Sequence, residues 1–157
     1  MMGKLKRSQK GFTIVEVMIV LAIAGLIMLV VLLAVPALQR TSRNSQRTSD
    51  VNAVGAAVTE FINNNGGKLP TTVATDTDGK LTVSGASGTN TSEGKLAYYT
   101  GGVSLVTTVP ATNATTEDTL IVVQKAKCTA NAAVAGTGRG IAITYTLEKA
   151  SKQCQEL

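Results

Sequence analysis

The chain of 157 residues contains no histidine and no tryptophan, and only two cysteines, three prolines and five aromatic residues. Histidine is the side chain that titrates near neutrality and the commonest general base. Without it the sequence offers no plausible nucleophile–base pair and no cluster of metal ligands, so neither an enzyme nor a metal or cofactor is expected. Five aromatics are too few for a stacking platform along single-stranded nucleic acid. Two cysteines permit one intramolecular bridge, Cys128 to Cys154; free thiols or pairing between chains are the alternatives.

Charge is also scarce where the chain is most apolar. The 19 residues from Val17 to Val35 carry none, and Glu16 is the only charge between Phe12 and Val35. Four cations, Lys4, Lys6, Arg7 and Lys10, precede this run. At about 1.5 Å per residue the run spans roughly 28 Å, close to the hydrocarbon thickness of a bilayer. A carboxylate at the centre of a membrane helix costs about 2.5–3.5 kcal/mol on insertion scales, and less near one end. An ordinary signal peptide has a shorter apolar core, of about 7–15 residues, although Val35-Pro36-Ala37 places small residues at tolerable positions. A plain N-terminal anchor fits the length but gives Glu16 no reason. Formal net charge is +5, and four of those charges lie in the first ten residues. Basicity therefore speaks to topology, with the leader on the cytoplasmic side, more than to a partner.

Beyond the apolar run, Val51, Val54, Val58 and Phe61 recur at helical spacing, with Ile62 widening the stripe. Asn63-Asn64-Asn65-Gly66-Gly67 stops the pattern and Pro70 follows. One helix is predicted from Phe12 to Asn64, roughly 80 Å if continuous. Its first half is apolar all round and its second half amphipathic. Pro36 lacks an N–H and crowds the carbonyl of Leu32, so a kink is expected there. Arg40, Arg43 and Arg47 share one helix face. They read as cations at the membrane surface, with Arg47 pairing Asp50 at i,i+3, or as partners of acids on neighbouring chains. Phosphate contact with DNA finds weak support without aromatics beside them.

From Thr71 to Gly102 the chain is rich in Thr, Ser and Gly, with short strands expected at Lys80–Ser84 and Lys95–Tyr99. Asp76-Thr77-Asp78-Gly79 has the opening of a calcium loop but lacks its later glutamate, and reads better as an Asp-Gly turn. Asn90-Thr91-Ser92 and Asn113-Ala114-Thr115 match the short glycosylation triplet. Val103–Val109, Thr119–Gln124 and Ile141–Leu147 read as strands, the last with a clean period of two. Gly136-Thr137-Gly138-Arg139-Gly140 lacks the spacing of a phosphate loop and reads as a turn. An antiparallel sheet of about four strands is expected on the helix between Val51 and Ile62.

The segment Lys10-Gly11-Phe12-Thr13-Ile14-Val15-Glu16 resembles the processing site of type IV prepilins, the class that includes the pseudopilins of type II secretion. The resemblance is specific from Met1 to about Pro70. It implies cleavage after Gly11 by a prepilin peptidase, N-methylation of Phe12, and Glu16 as the fifth mature residue, acting in assembly. It implies an α+β, type IV pilin-like fold: a cleaved basic leader at 1–11, a membrane and filament-core helix half at 12–38, an amphipathic half at 39–65, and a globular β-domain at 66–157. Gly25 matches a family glycine. The family proline falls where Leu33 stands here, so Gly25 to Pro36 is the candidate stretch for kinking or melting on assembly. A disulfide near the C-terminus, Cys128–Cys154, fits the same pattern. Implied partners are further copies of the chain, the peptidase, an assembly platform, minor pilins and the membrane before assembly, with direct nucleic-acid contact not expected. The implied location is the inner membrane, then the cell surface. A pseudopilin and a surface protein that never polymerises are the alternatives.

Overall fold

The computed structural model describes residues 11–86, 90–110, 116–136 and 138–157. The basic leader before Gly11, the Asn113-Ala114-Thr115 triplet and Thr137 lie outside the described residues. A single long helix, α1 (Ile14–Asn64), precedes the strands β1 (Thr72–Thr75), β2 (Lys80–Ser84), β3 (Ser92–Lys95), β4 (Val103–Val106), β5 (Leu120–Gln124), β6 (Ala126–Thr129), β7 (Ala132–Ala135), β8 (Ile141–Leu147) and β9 (Ser151–Glu156). The fold is α+β with a long N-terminal helix. By contacts the chain divides after Gln39 into two compact units.

In the first unit every residue from Gly11 to Gln39 is exposed. Nothing within the unit competes for these side chains, and the helix is long and apolar enough to cross a membrane. It continues through both Gly25 and Pro36.

In the second unit the remainder of α1 buries one stripe. Val51, Val54, Val58 and Phe61 are fully buried and meet Leu81 and Val83 of β2, Leu120 and Val122 of β5, and Ile141 and Ile143 of β8. These helix residues are the ones whose spacing predicts the stripe. The helix then closes as its glycines dictate. Gly66 and Gly67 take positive φ, and Gly67 N–H reaches back to the Ile62 carbonyl at 2.8 Å, so the last turn is capped by the chain itself.

The strands make three sheets: antiparallel β1-β2-β3, mixed β4-β5-β8-β9, and the ribbon β6-β7. The four-stranded sheet departs from the purely antiparallel expectation at one edge, where β4 runs parallel to β5, Val103 opposite Leu120. A parallel pair needs a long crossover, which the chain between Val106 and Leu120 provides.

Strands β2 and β8 have the expected bounds. Val103–Val109 shortens to Val103–Val106, and the strand expected at Lys95–Tyr99 is instead Ser92–Lys95, ending where it was expected to begin. The residues after Lys95 leave the sheet because their N–H groups are taken by Asp50, as described below.

The period of two in β8 does not produce a wet face. Ala142, Thr144 and Thr146 are buried as fully as Ile141 and Ile143. The reason is the ribbon, which packs over β8 and β9 and forms a second apolar cluster of Val123, Ala126, Ala133 and Ala142. The Cys128–Cys154 disulfide joins β6 to β9 with Cα atoms 5.7 Å apart, so the ribbon is tied to the sheet it covers.

Glycine is required at the turn between β1 and β2. Gly79 has φ +76°, and a Cβ there would stand 2.3 Å from the Leu96 carbonyl oxygen. Gly101 has φ +82° with open space around it. Gly101→Ala is therefore expected to cost only the left-handed penalty, about 1–2 kcal/mol. Gly79→Ala must also displace backbone and is expected to cost at least ~1 kcal/mol more, read as the difference in denaturant midpoints.

Candidate functional site

The start of α1 is built by its own sequence. Thr13 stands at the N-cap and Glu16 three residues on, the spacing of a capping box. Glu16 N–H donates to Thr13 Oγ1 at 3.3 Å, while Thr13 N–H and its hydroxyl both approach Glu16 Oε2 at 3.4 Å. The helix therefore begins at Ile14, two residues later than predicted. The carboxylate sits in the first turn, where the helix dipole favours negative charge. The signal for this cap is local and present in the sequence as Thr13-x-x-Glu16.

Gly11 and Phe12 precede the helix and are exposed, and nothing approaches Gly11 within 4 Å of where a Cβ would stand. The peptide between them is open chain, the form a protease can bind. Phe12, Glu16, Val17, Val20 and Leu21 line one shallow trough of about 290 Å³. Its walls are apolar, and Glu16 is the one ionisable group among them. Gly25 and Pro36 lie further along the same helix and take no part in this site. Cys128 and Cys154 belong to the second unit.

The three arginines do not form an open basic face. Arg43 Nε donates to Glu148 Oε1, and Arg40 Nε stands 4.0 Å from the other oxygen of that carboxylate. The bond from Arg43 holds the Glu148 carboxyl below its usual range and raises the arginine in turn. Arg47 is 1% exposed. It does not pair with Asp50 as its spacing suggested. Its Nη2 donates to Tyr98 Oη at 2.5 Å and lies 3.5 Å from Glu117, and the guanidinium stacks 4.4 Å from the Tyr98 ring centroid. Burial is the largest influence and works against its charge, but the bond to Tyr98 together with the neighbouring Tyr99 and Glu117 outweighs it, so its affinity for the proton is raised.

Asp50 has a different task. Its carboxylate accepts three successive main-chain N–H groups, from Ala97 at 3.0 Å, Tyr98 at 2.6 Å and Tyr99 at 3.1 Å. A helix residue thereby supplies the hydrogen bonds that a strand partner would have given. The adjacent Tyr99 hydroxyl is buried and without a partner, and burial pushes its ionisation upward.

The Asp76 turn is closed on itself, with Asp76 Oδ1 accepting Asp78 N–H at 3.0 Å and Lys80 N–H at 2.8 Å. The Asp-Gly turn reading therefore describes this segment. Asn90 is bound through its main chain to Asn65, and Ser92 is buried with its hydroxyl on Glu60 at 2.9 Å.

Two outcomes are expected from these contacts. Asp50→Ala strands three N–H groups and is expected to lower stability by about 3 kcal/mol, with hydrogen exchange at residues 97–99 rising before the rest of the domain. Glu148 is held below its ordinary pKa, so its contribution is complete above the usual glutamate range near 4.3 and is lost as pH falls through the lowered folded value. The thermal midpoint of Glu148→Gln is expected to lie below that of the parent at pH 7, and the two are expected to converge in acid, as read by melts across pH.

Residues 6–32 match the family described as the prokaryotic N-terminal methylation motif. No curated protein matches the chain. No solved structure matches it either. The match covers Lys6, Arg7 and Lys10, the open Gly11–Phe12 peptide, the capping box and the first turns of the apolar helix, and so the chain carries the leader signature of type IV prepilins on a helix suited to a membrane-anchored precursor.

Proposed function

We propose that this chain is a type IV pilin: a structural subunit, not an enzyme, cut after Gly11, methylated on Phe12 and polymerised through its N-terminal helix into a surface filament. The observation that carries the reading is the methylation motif leading into an exposed helical stretch, Ile14–Leu38, that is apolar apart from one charge, Glu16. Prepilin peptidase, an assembly platform, minor pilins and the inner membrane are the corresponding partners.

Cleavage creates an ammonium at Phe12, one helical turn before Glu16. While the subunit is in the membrane, the capping box gives the carboxylate local donors and lowers the cost of holding it near lipid. On entry to a helical bundle the carboxylate pairs with an ammonium, its own or that of a neighbour. The pairing offsets the desolvation of both charges and sets the axial register between subunits. Gly25 and Pro36 bracket the stretch that unwinds as subunits pack, because one lacks a side chain and the other lacks an N–H. The disulfide and the long Thr-rich loops favour a surface filament over a periplasmic piston.

Intact mass of sheared extracellular material is expected to show loss of Met1–Gly11 and gain of one methyl group. A chain that keeps its leader, or begins beyond the apolar helix, overturns the reading. Filaments seen only inside the envelope would indicate a pseudopilin. Glu16→Gln is expected to leave processing and membrane insertion intact while reducing filament yield at least tenfold, measured as the ratio of sheared to membrane-bound subunit. Equal yield removes the role given to Glu16.

A further inference from the structure

The end of α1 is stitched to the residues that enter β3, chiefly by one side chain. Asn65 Nδ2 donates to the Phe61 carbonyl at 2.8 Å and to the Asn90 carbonyl at 3.0 Å, and Asn65 Oδ1 accepts the Asn90 N–H at 2.8 Å. Both amide protons and the amide oxygen are therefore used. The reverse orientation of the carboxamide would set its oxygen against two carbonyls. Two further contacts extend the seam: Ser92 Oγ donates to Glu60 Oε2 at 2.9 Å, and Asn90 Nδ2 lies 3.5 Å from the Asn64 carbonyl. Asn65 itself is half-buried.

The same residue is followed by glycine, and Asn65-Gly66 is the only Asn-Gly step in the chain. The backbone nitrogen after an asparagine can attack its carboxamide, and glycine, which has no Cβ, obstructs that approach least. The Gly66 nitrogen bonds to Asn65 Cγ, the Cγ–Nδ2 bond breaks, and ammonia leaves with the proton that the attacking nitrogen gives up. Water then opens the resulting succinimide. Opening at Cγ gives aspartate. Opening at the original main-chain carbonyl gives isoaspartate, which adds a methylene to the main chain. No oxidant, reductant or cofactor enters. In the folded chain the geometry opposes the attack, because the carboxamide is held back over the preceding turn, on a carbonyl four residues earlier, while the Gly66 nitrogen follows it.

We infer that Asn65 is a latent modification site, spared while residues 90–92 stay seated on the helix end and deamidated when they let go. Reseating does not undo the change. A carboxylate only accepts hydrogen bonds, so the two carbonyls that took the Nδ2 protons would face an oxygen. Isoaspartate also lengthens the main chain just where the Gly67 N–H must reach the Ile62 carbonyl at 2.8 Å to cap the helix. The seam is thus a one-way catch: it protects the amide that closes it, and loss of that amide keeps it open. This chemistry requires neither a membrane nor a filament and is independent of the pilin reading.

The test is ageing of the full-length chain in mild detergent at mildly alkaline pH, in water enriched in heavy oxygen, beside a synthetic peptide of residues 60–70. Mass spectrometry locates the product, and one heavy oxygen at Asn65 marks passage through the succinimide. The folded chain is expected to react at least about tenfold more slowly than the peptide, because three hydrogen bonds must open first. Ser92→Ala unties the neighbouring residue from Glu60 without touching the carboxamide, and is expected to raise the folded rate roughly threefold. In the modified fraction, hydrogen exchange at the Asn90 and Gly67 amides is expected to rise by about tenfold or more. Folded and peptide rates within about twofold of each other overturn the inference. So does a parent-like folded rate in Ser92→Ala, since the gate would then lie elsewhere, and so does parent-like exchange in the modified fraction.

Discussion

A helical stretch that is apolar on every side has to be covered by something, and an amphipathic one by a core against one face. From Val51 to Phe61 the sheets supply the cover, and the stripe is buried to the last atom. From Ile14 to Leu38 the described residues of the same unit supply no cover, and the large side chains stand exposed. Lipid and a bundle of like helices are the two environments that can take such a rod, and the proposed life of the protein is a passage from one to the other. The capping box at Thr13 and Glu16 belongs to the same constraint, because a lone carboxylate on such a surface needs local donors.

The globular unit is held to its helix by charge as well as by apolar burial. Arg43 fixes the β8–β9 turn through Glu148, Arg47 fixes Tyr98, and Asp50 holds the three residues around it. These ties sit on one helix within two turns. They anchor segments outside the regular strands, where the main chain would otherwise lack partners. The arginines are thereby spent inside the molecule.

Much of the fold was legible in one dimension. The helix, its apolar and amphipathic halves, its glycine stop, and strands β2 and β8 follow from local periodicity and turn chemistry. What escaped was decided at long range. The strand expected at Lys95–Tyr99 has the composition for it, yet a carboxylate nearly fifty residues earlier takes its N–H groups. Thr144 and Thr146 alternate as solvent-facing residues should, yet both are buried on the face of β8 where Ala142 packs with the alanines of the ribbon, which carries no strong strand signal. Arg47 and Asp50 have the spacing of an ion pair, and each found a stronger partner in a segment brought in by the sheets.

The sequence by itself determined the processing motif, the rod and the position of its single charge, because these depend on neighbours within one helical turn or on composition along a run. The tertiary structure alone decided which charges are consumed and which remain, since a side chain's partner is set by what the sheets carry to it. It also decided that the β8 face is dry. Those outcomes follow from strand order and register, which no local pattern encodes.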